Sequence, residues 1–242
     1  MADARPNTAL GGVALVMSVP RLHSVVFDVN ETLVNLSDLR QAFDDLELPA
    51  HSLEWWFAAL LRDGMALAAS GEYGSFAALA GAALDEITAS SGRRASPGAV
   101  TSLLGAFAEL PLHADVASAF ERLAALHVPI LALTNGSAAT TRGFFERAGL
   151  DSLVVVHSVE AVQLWKPRPE AYRYLAQEVG VEPRRLAMVA AHPWDLHGAS
   201  KVGYSTAWVN RDRRLFPDVF HPPDVEANSL GDVVERLVEY LG

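Results

Sequence analysis

Ser24-Val25-Val26-Phe27-Asp28-Val29-Asn30-Glu31-Thr32-Leu33 is the stretch from which the chain can be read. Apolar and β-branched residues run straight into an acid, and a loop of small and polar residues follows. A buried parallel strand delivers a side chain to its carboxyl end in this way. Asp28 sits at that end. Ligands of open α/β sheets bind outside the carboxyl ends of the strands, so an acid placed there serves chemistry better than solvation. The competing reading is an Asx turn where strand gives way to loop, and the stretch by itself leaves both open.

Composition narrows the class. The 242 residues, 50% of them hydrophobic, can bury one core or a core with a smaller insert. A net charge of −10 without any Lys/Arg block argues against nucleic acid or an anionic membrane as partner. A small anionic substrate must then be handled by local charge. There is no cysteine, which excludes disulfides, thiolate catalysis and Cys-ligated metal. Nothing demands an oxidising compartment, and a cytoplasmic location is expected.

Residues 10–19 are an apolar run too short to span a bilayer and lacking the basic cluster and cleavage pattern of a signal peptide. Residues 1–22 are therefore expected to form a loosely ordered leader. Beyond the first strand, Leu53-Glu54-Trp55-Trp56-Phe57-Ala58-Ala59-Leu60-Leu61-Arg62 and Ser75-Phe76-Ala77-Ala78-Leu79-Ala80-Gly81-Ala82-Ala83-Leu84 carry apolar residues at helical spacing with few β-branched ones. Breaks at 48–49, 70–74 and 90–98 divide the region into roughly four helices without a strand. Residues 37–110 are read as a helical cap inserted into a core formed by 23–36 and 111–242. A single crossover would need only one helix. The pair Trp55-Trp56 is expected in the core of that cap, and Phe57 on a pocket wall.

From residue 112 the pattern alternates: helix 115–126, strand 128–135, helix 138–148, strand 153–158, helix 169–179, strand 186–191, helix 194–202, strand 206–210 and helix 230–240. Repeated βα units predict an α/β fold with a doubly wound, mainly parallel sheet and right-handed crossovers.

Polar residues collect at the strand ends. Leu133-Thr134-Asn135-Gly136-Ser137 offers a hydroxyl, an amide and loop N–H groups, a ready anion or oxyanion site. Lys166 lies on a loop stiffened by Pro167 and Pro169. Ala190-Ala191-His192-Pro193-Trp194-Asp195 ends the next strand and puts Asp195 in the first turn of a helix. Each cluster has an ordinary reading as turn, surface lysine or helix-start acid. Their recurrence at successive strand ends favours a site.

Asp28-Val29-Asn30-Glu31-Thr32, Leu133-Thr134-Asn135-Gly136-Ser137, Lys166-Pro167 and Asp195 match in order and spacing the four motifs of the haloacid dehalogenase (HAD) superfamily, which the chain resembles over roughly residues 23–240. The resemblance implies a Rossmann-like HAD core with an inserted helical cap. It is strongest toward the type II (S)-2-haloacid dehalogenases, through Asp28 to Thr32, Trp194-Asp195 and Tyr172, which falls where those enzymes carry a tyrosine. It implies that Asp28 attacks the carbon bearing the leaving group and forms an ester hydrolysed at its own carbonyl. Lys166 would keep Asp28 ionised and replace a metal. Thr32, Thr134 and Asn135 would position substrate carboxylate and nucleophile, with Asn30, Tyr172, Phe57, His192 and Trp194 further candidates for substrate contact. Asp195 would hold Lys166 and help activate water. A homodimer is expected, from the resemblance and from the apolar excess of residues 53–84.

Two departures separate the branches of the superfamily. Its phosphatases need an acid two residues after the nucleophile to exchange a proton, and Asn30 cannot do so. They also hold Mg²⁺ with fourth-motif acids, one of which is replaced by Ala191; fewer carboxylates weaken such a site. Loss of a halide needs neither group, so no cofactor is expected, with Mg²⁺ as the alternative. Against the dehalogenase pattern, Ala190 and His192 stand where its members carry Ser and Asn, and a cap arginine that assists the halide falls near Phe57. Arg40 or Arg62 could substitute only in a rearranged cap. His192 is either a base titrating near pH ~6.5 or a packed ring at the strand end, and Glu31 is expected to point away from the site. The remaining alternatives are a phosphatase or phosphonatase-type hydrolase and a silent HAD-fold binding protein.

Overall fold

The structure, a computed structural model, describes residues 22–90, 92 and 94–239. The leader expected over residues 1–22 lies outside them but for Leu22. Strand β1 (Ser24–Phe27) is followed by helices α1 (Arg40–Asp44), α2 (Ser52–Ser70), α3 (Phe76–Ala89), α4 (Pro97–Ala108) and α5 (Val116–Ala125). Then come β2 (Ile130–Thr134), α6 (Ala138–Ala148), β3 (Val154–Ser158), α7 (Pro169–Glu178), β4 (Leu186–Ala190), α8 (Pro193–Ser200), β5 (Ser205–Val209), β6 (Val225–Ala227) and α9 (Leu230–Val238).

The strands form one six-stranded parallel sheet in the order β3-β2-β1-β4-β5-β6. Chain progression reverses at β1, between β1 and β4, and that switch point opens a crevice at the strands' carboxyl ends. The expected α/β doubly wound fold is therefore observed. The pleat sends Val25 and Phe27 to one face of the sheet, where they join Ile130 and Ala132 in a core with Phe120 of α5 and Val233 of α9. Val26 goes to the other, with Leu131, Leu133 and Met188 against Tyr172 and Leu175 of α7 and Leu196 of α8. With both faces covered, β1, β2 and β4 are buried along their whole length, which is why they read as unbroken apolar runs.

Strand β6 was not expected from the sequence. Three residues, Val225-Glu226-Ala227, are too few for a period-two signal, and the strand lies at the sheet edge with Glu226 exposed. The expected end of the last helix at residue 240 falls outside the described residues.

Among the described residues no strand interrupts α1 to α4. The chain departs and returns at adjacent points: the His113 N–H donates to the Leu33 carbonyl at 2.7 Å, and Val34 and Leu112 form an antiparallel bridge. Trp56 is buried among Phe43, Phe57 and Phe76, and its indole N–H donates to the Ala80 carbonyl at 2.9 Å. Trp55 corrects the expectation for the pair: it is 37% exposed, being one residue further round α2. Trp165 locks these helices to the loop that bears Lys166. It stacks on Phe76, donates to the Gly74 carbonyl at 2.9 Å and lies against α2 so closely that a Cβ on Gly64 would come within 2.5 Å of its ring. A larger residue at Gly64 would push the tryptophan, and with it the lysine's loop.

Candidate active site

Asp28 is the first residue past β1, and its N–H still pairs with the Val189 carbonyl at 3.0 Å, so sheet pairing fixes its backbone. The chain then turns back on itself: the Leu33 and Val34 N–H groups both donate to the Val29 carbonyl, and Glu31 takes the left-handed conformation at φ 60°. That turn returns Thr32 to Asp28. The Thr32 hydroxyl donates to Asp28 Oδ2 at 2.8 Å and accepts from the Ala191 N–H at 2.9 Å, tying the β1 and β4 loops together. Asn30 is buried in the same turn.

Lys166 is fully buried and its ammonium has three acceptors, one for each proton: Asp28 Oδ1 at 2.8 Å, Asp195 Oδ2 at 2.7 Å and the Leu133 carbonyl at 2.8 Å. Its backbone is clasped by Asn135, whose Oδ1 accepts from the Lys166 N–H at 2.8 Å and whose amide donates to the Lys166 carbonyl at 3.3 Å. Asp195, also fully buried, receives Lys166 on one oxygen and the Tyr172 hydroxyl on the other, at 2.5 Å. Thr134 accepts from the Gly136 N–H at 2.8 Å, which leaves the hydroxyl proton for another acceptor.

His192 occupies the N-terminal cap position of α8 and bridges two carboxylates. Its Nδ1 is 3.0 Å from Asp28 Oδ2 and its Nε2 is 2.7 Å from Glu31 Oε2. The ring stacks on Trp194, centroids 5.1 Å apart, and faces Phe57 across 6.2 Å. A cavity of about 460 Å³ opens beside it, with Phe57, Ala191, His192 and Arg211 among its walls.

Charge is distributed accordingly. Burial pushes the Asp28 carboxyl up, but the Lys166 charge and the contacts of His192 outweigh it and hold Asp28 far below the usual carboxylate range. Burial also works against the Lys166 charge, and Asp195 and Asp28 together raise its pKa above the ordinary lysine value. Asp195 is pushed up by burial and by the Asp28 charge, against the pull of Lys166. For His192, burial opposes the charge, yet the hydrogen bonds and charges of Asp28 and Glu31 raise its pKa to about 9. Asp28 therefore lies as a carboxylate between two cations.

A family model described as haloacid dehalogenase-like hydrolase matches residues 22–203. The chain belongs to this hydrolase family. The (S)-2-haloacid dehalogenase 4A of Burkholderia cepacia is 26% identical over 224 residues, which cover 91% of this chain and 97% of the relative. The (S)-2-haloacid dehalogenase of Pseudomonas sp. (strain YL) is 30% identical over 143 residues, 59% of this chain and 62% of the relative. Among solved structures, the L-2-haloacid dehalogenase from Xanthobacter autotrophicus with chloropropionic acid covalently bound superposes with a TM-score of 0.85 at 22% identity, covering 91% of this chain and all of that one (100%).

In this haloacid dehalogenase-like hydrolase the residues singled out in sequence meet at one end of the sheet, though several stand otherwise than expected. Thr32, Lys166 and His192 all touch Asp28. Tyr172 is fully buried behind Asp195, so its hydroxyl holds an acid and does not face the cavity. Asn135 clasps the Lys166 backbone with its oxygen and with one of its two amide N–H donors, so it positions the lysine's loop first of all. Asp195 is fully buried and has both oxygens occupied, one by Lys166 and one by Tyr172. Glu31 points inward to His192, because its left-handed backbone turns the side chain back over the site. Arg211 was missed. It lies two residues past β5, pairs with Asp115 at 2.9 and 3.0 Å and donates to the Thr32 carbonyl at 2.9 Å, bracing the Asp28 turn. The rule that sites gather at strand ends would have found it.

The histidine carries a stability prediction. Its folded pKa of about 9 lies above the ordinary value, so folding takes up a proton. The resulting stabilisation is fully present below about pH 6.5 and declines as pH rises through the folded value, about 3 kcal/mol being lost in all. Urea unfolding of wild type and His192→Gln across this range measures it. An equal pH dependence in the two proteins would refute the ion-paired state.

Proposed function

We propose that this family member is a metal-independent (S)-2-haloacid dehalogenase-like enzyme, converting a small 2-substituted carboxylate to its hydroxy acid through an ester on Asp28. The observation that carries the reading is the pair of positions where the metal-dependent branch needs acids and this chain has none, Asn30 buried in the Asp28 turn and Ala191 just past β4, which leaves the Lys166 ammonium as the cation between Asp28 and Asp195. Asp28 supplies the attacking oxygen, kept ionised by Lys166 and Thr32. The C–X bond breaks with its electron pair leaving on the halide, which needs no proton. Water then attacks the Asp28 carbonyl carbon and releases the hydroxy acid.

The residues do not fit Mg²⁺. Lys166 fills the space between the two acids, Ala191 supplies no ligand, and among the described residues no group of three or more His, Asp or Glu side chains could hold a metal. Phe57 borders the cavity where a halide-assisting arginine was sought, and Arg40, which lines the same cavity, is ion-paired with Glu54. Among the described residues no helix is long and apolar enough to cross a membrane. A homodimer belongs to the same reading, with exposed Trp55 on α2 the apolar side chain it would cover.

Halide release from (S)-2-chloropropionate is the test, run with EDTA and with Mg²⁺. Turnover unaffected by EDTA is expected. Turnover of phosphate esters that requires Mg²⁺, with none of the haloacid, would overturn the proposal and favour the phosphatase alternative.

A further inference from the structure

Ester hydrolysis on Asp28 needs an agent to activate water, and the two groups nearest to it are already committed. Lys166 has given all three protons to buried acceptors, and Asp195 is enclosed by Lys166 and Tyr172. His192 is the titratable side chain that both touches Asp28 and borders the cavity. Its ring is aimed by three constraints: the helix start at Pro193, the stack on Trp194, and Glu31 on Nε2. A carboxylate on one ring nitrogen with the other nitrogen facing the reacting group is the arrangement by which hydrolases fix a histidine's tautomer and aim.

We propose that Glu31 and His192 form a carboxylate–imidazole dyad whose proton is held while Asp28 is a carboxylate and shed once Asp28 is esterified, so that His192 Nδ1 then serves as the base for ester hydrolysis. The inference rests on the ester route of the proposed function. Esterification removes the negative charge 3.0 Å from Nδ1, one of the two contacts that keep the buried ring charged. What remains is Glu31 on Nε2, with Lys166 and Asp195 beyond Asp28, and Arg40, Glu54, His113, Arg211, Asp212 and Arg214 around the cavity. The Nδ1 proton then passes to solvent.

The protons balance through the cycle. Water adds its oxygen to the Asp28 carbonyl carbon and its proton to Nδ1. The tetrahedral adduct expels the product alkoxide, which takes that proton and leaves as the hydroxy acid. Asp28 is left as a carboxylic acid; its proton crosses to Nδ1 and restores the starting ion pair. The net reaction consumes halide substrate and water and yields hydroxy acid, halide and one proton.

Two measurements test this. Asp28→Asn is a neutral isostere of the esterified aspartate, and histidine NMR titration reads the ring without any substrate. His192 is expected to be an imidazolium at neutral pH in wild type, and in Asp28→Asn to titrate at or below about pH 6.5 with the proton on Nε2. Rapid-quench mass spectrometry of His192→Gln with (S)-2-chloropropionate is expected to show one equivalent of halide released and the ester accumulating on Asp28, with steady-state turnover down at least ~10²-fold. A ring that stays charged in Asp28→Asn, or ester formation and hydrolysis slowed equally in His192→Gln, would overturn the dyad. Absence of halide release by wild type would instead overturn the dehalogenase reading, and the titration would still decide whether the dyad switches.

Discussion

Single-turnover hydrolysis in H₂¹⁸O is expected to place the first ¹⁸O in the Asp28 carboxylate and not in the hydroxy acid. Asp28 is the acid whose position is fixed by sheet pairing and which is held ionised, with Lys166 on Oδ1 and with Thr32 and His192 on Oδ2. Glu31, the other acid of the turn, is held by the far side of His192. If Asp28 attacks the substrate, the oxygen that leaves in the first hydroxy acid is its own, and solvent oxygen enters the enzyme. Label reaches product only in later turnovers. Asp28→Asn is expected to lower turnover at least ~10³-fold, since an amide is a poor nucleophile and the fixed donors around it then have no anion to hold. Label found directly in product during the first turnover would mean that water attacks the substrate, and Asp28 would then be a base.

The sheet was legible because its strands are buried on both faces, so β1, β2 and β4 announce themselves as apolar runs that end in polar loops. β6 was not legible, because an edge strand of three residues has no such run. The site was legible as an assembly of strand ends and illegible in its wiring. Spacing places Asp28, Lys166 and Asp195 near one another, but it does not tell which oxygen Lys166 takes or that Tyr172 closes off Asp195. Glu31 was misread for the same reason. A left-handed backbone at a non-glycine residue is a tertiary outcome, and it reverses the direction in which the side chain points. The histidine's charge depends in part on that reversal: the ring was expected near its ordinary value or packed, and Asp28 and the inward-turned Glu31 together overcome its burial and raise it to about 9.

Lys166→Met is expected to combine a loss of turnover with a loss of stability that shrinks as the pH is lowered. The ammonium is fully buried and binds Asp28 and Asp195, so removing it leaves two desolvated acids facing the same space. Breaking a buried pair by deleting one partner costs about 3–5 kcal/mol, because the remaining charge is uncompensated. In wild type Asp28 is held far below the usual range, so its contribution is present above about pH 4 and does not change on going to neutral pH. Without the lysine, Asp28 keeps His192 as its remaining cation, but Asp195 has none, and burial and the Asp28 charge hold its pKa above the unfolded value. The sign then reverses: the folded variant binds protons more tightly than the unfolded chain, and acidification through the raised value restores stability. Urea unfolding of wild type and variant at about pH 5 and about pH 8 should therefore give a smaller difference at the lower pH. Neutralising the second acid in Lys166→Met/Asp195→Asn is expected to recover part of the stability but none of the turnover, since Asp28 still lacks the ammonium that holds Oδ1 in place beside the substrate. Arginine is a poor replacement, because a planar guanidinium cannot direct donors at once to Asp28, Asp195 and the Leu133 carbonyl around a single nitrogen. A Lys166→Met protein with wild-type stability at both pH values would show that the two acids share a proton without the lysine, and the ion-triad account of the site would fail.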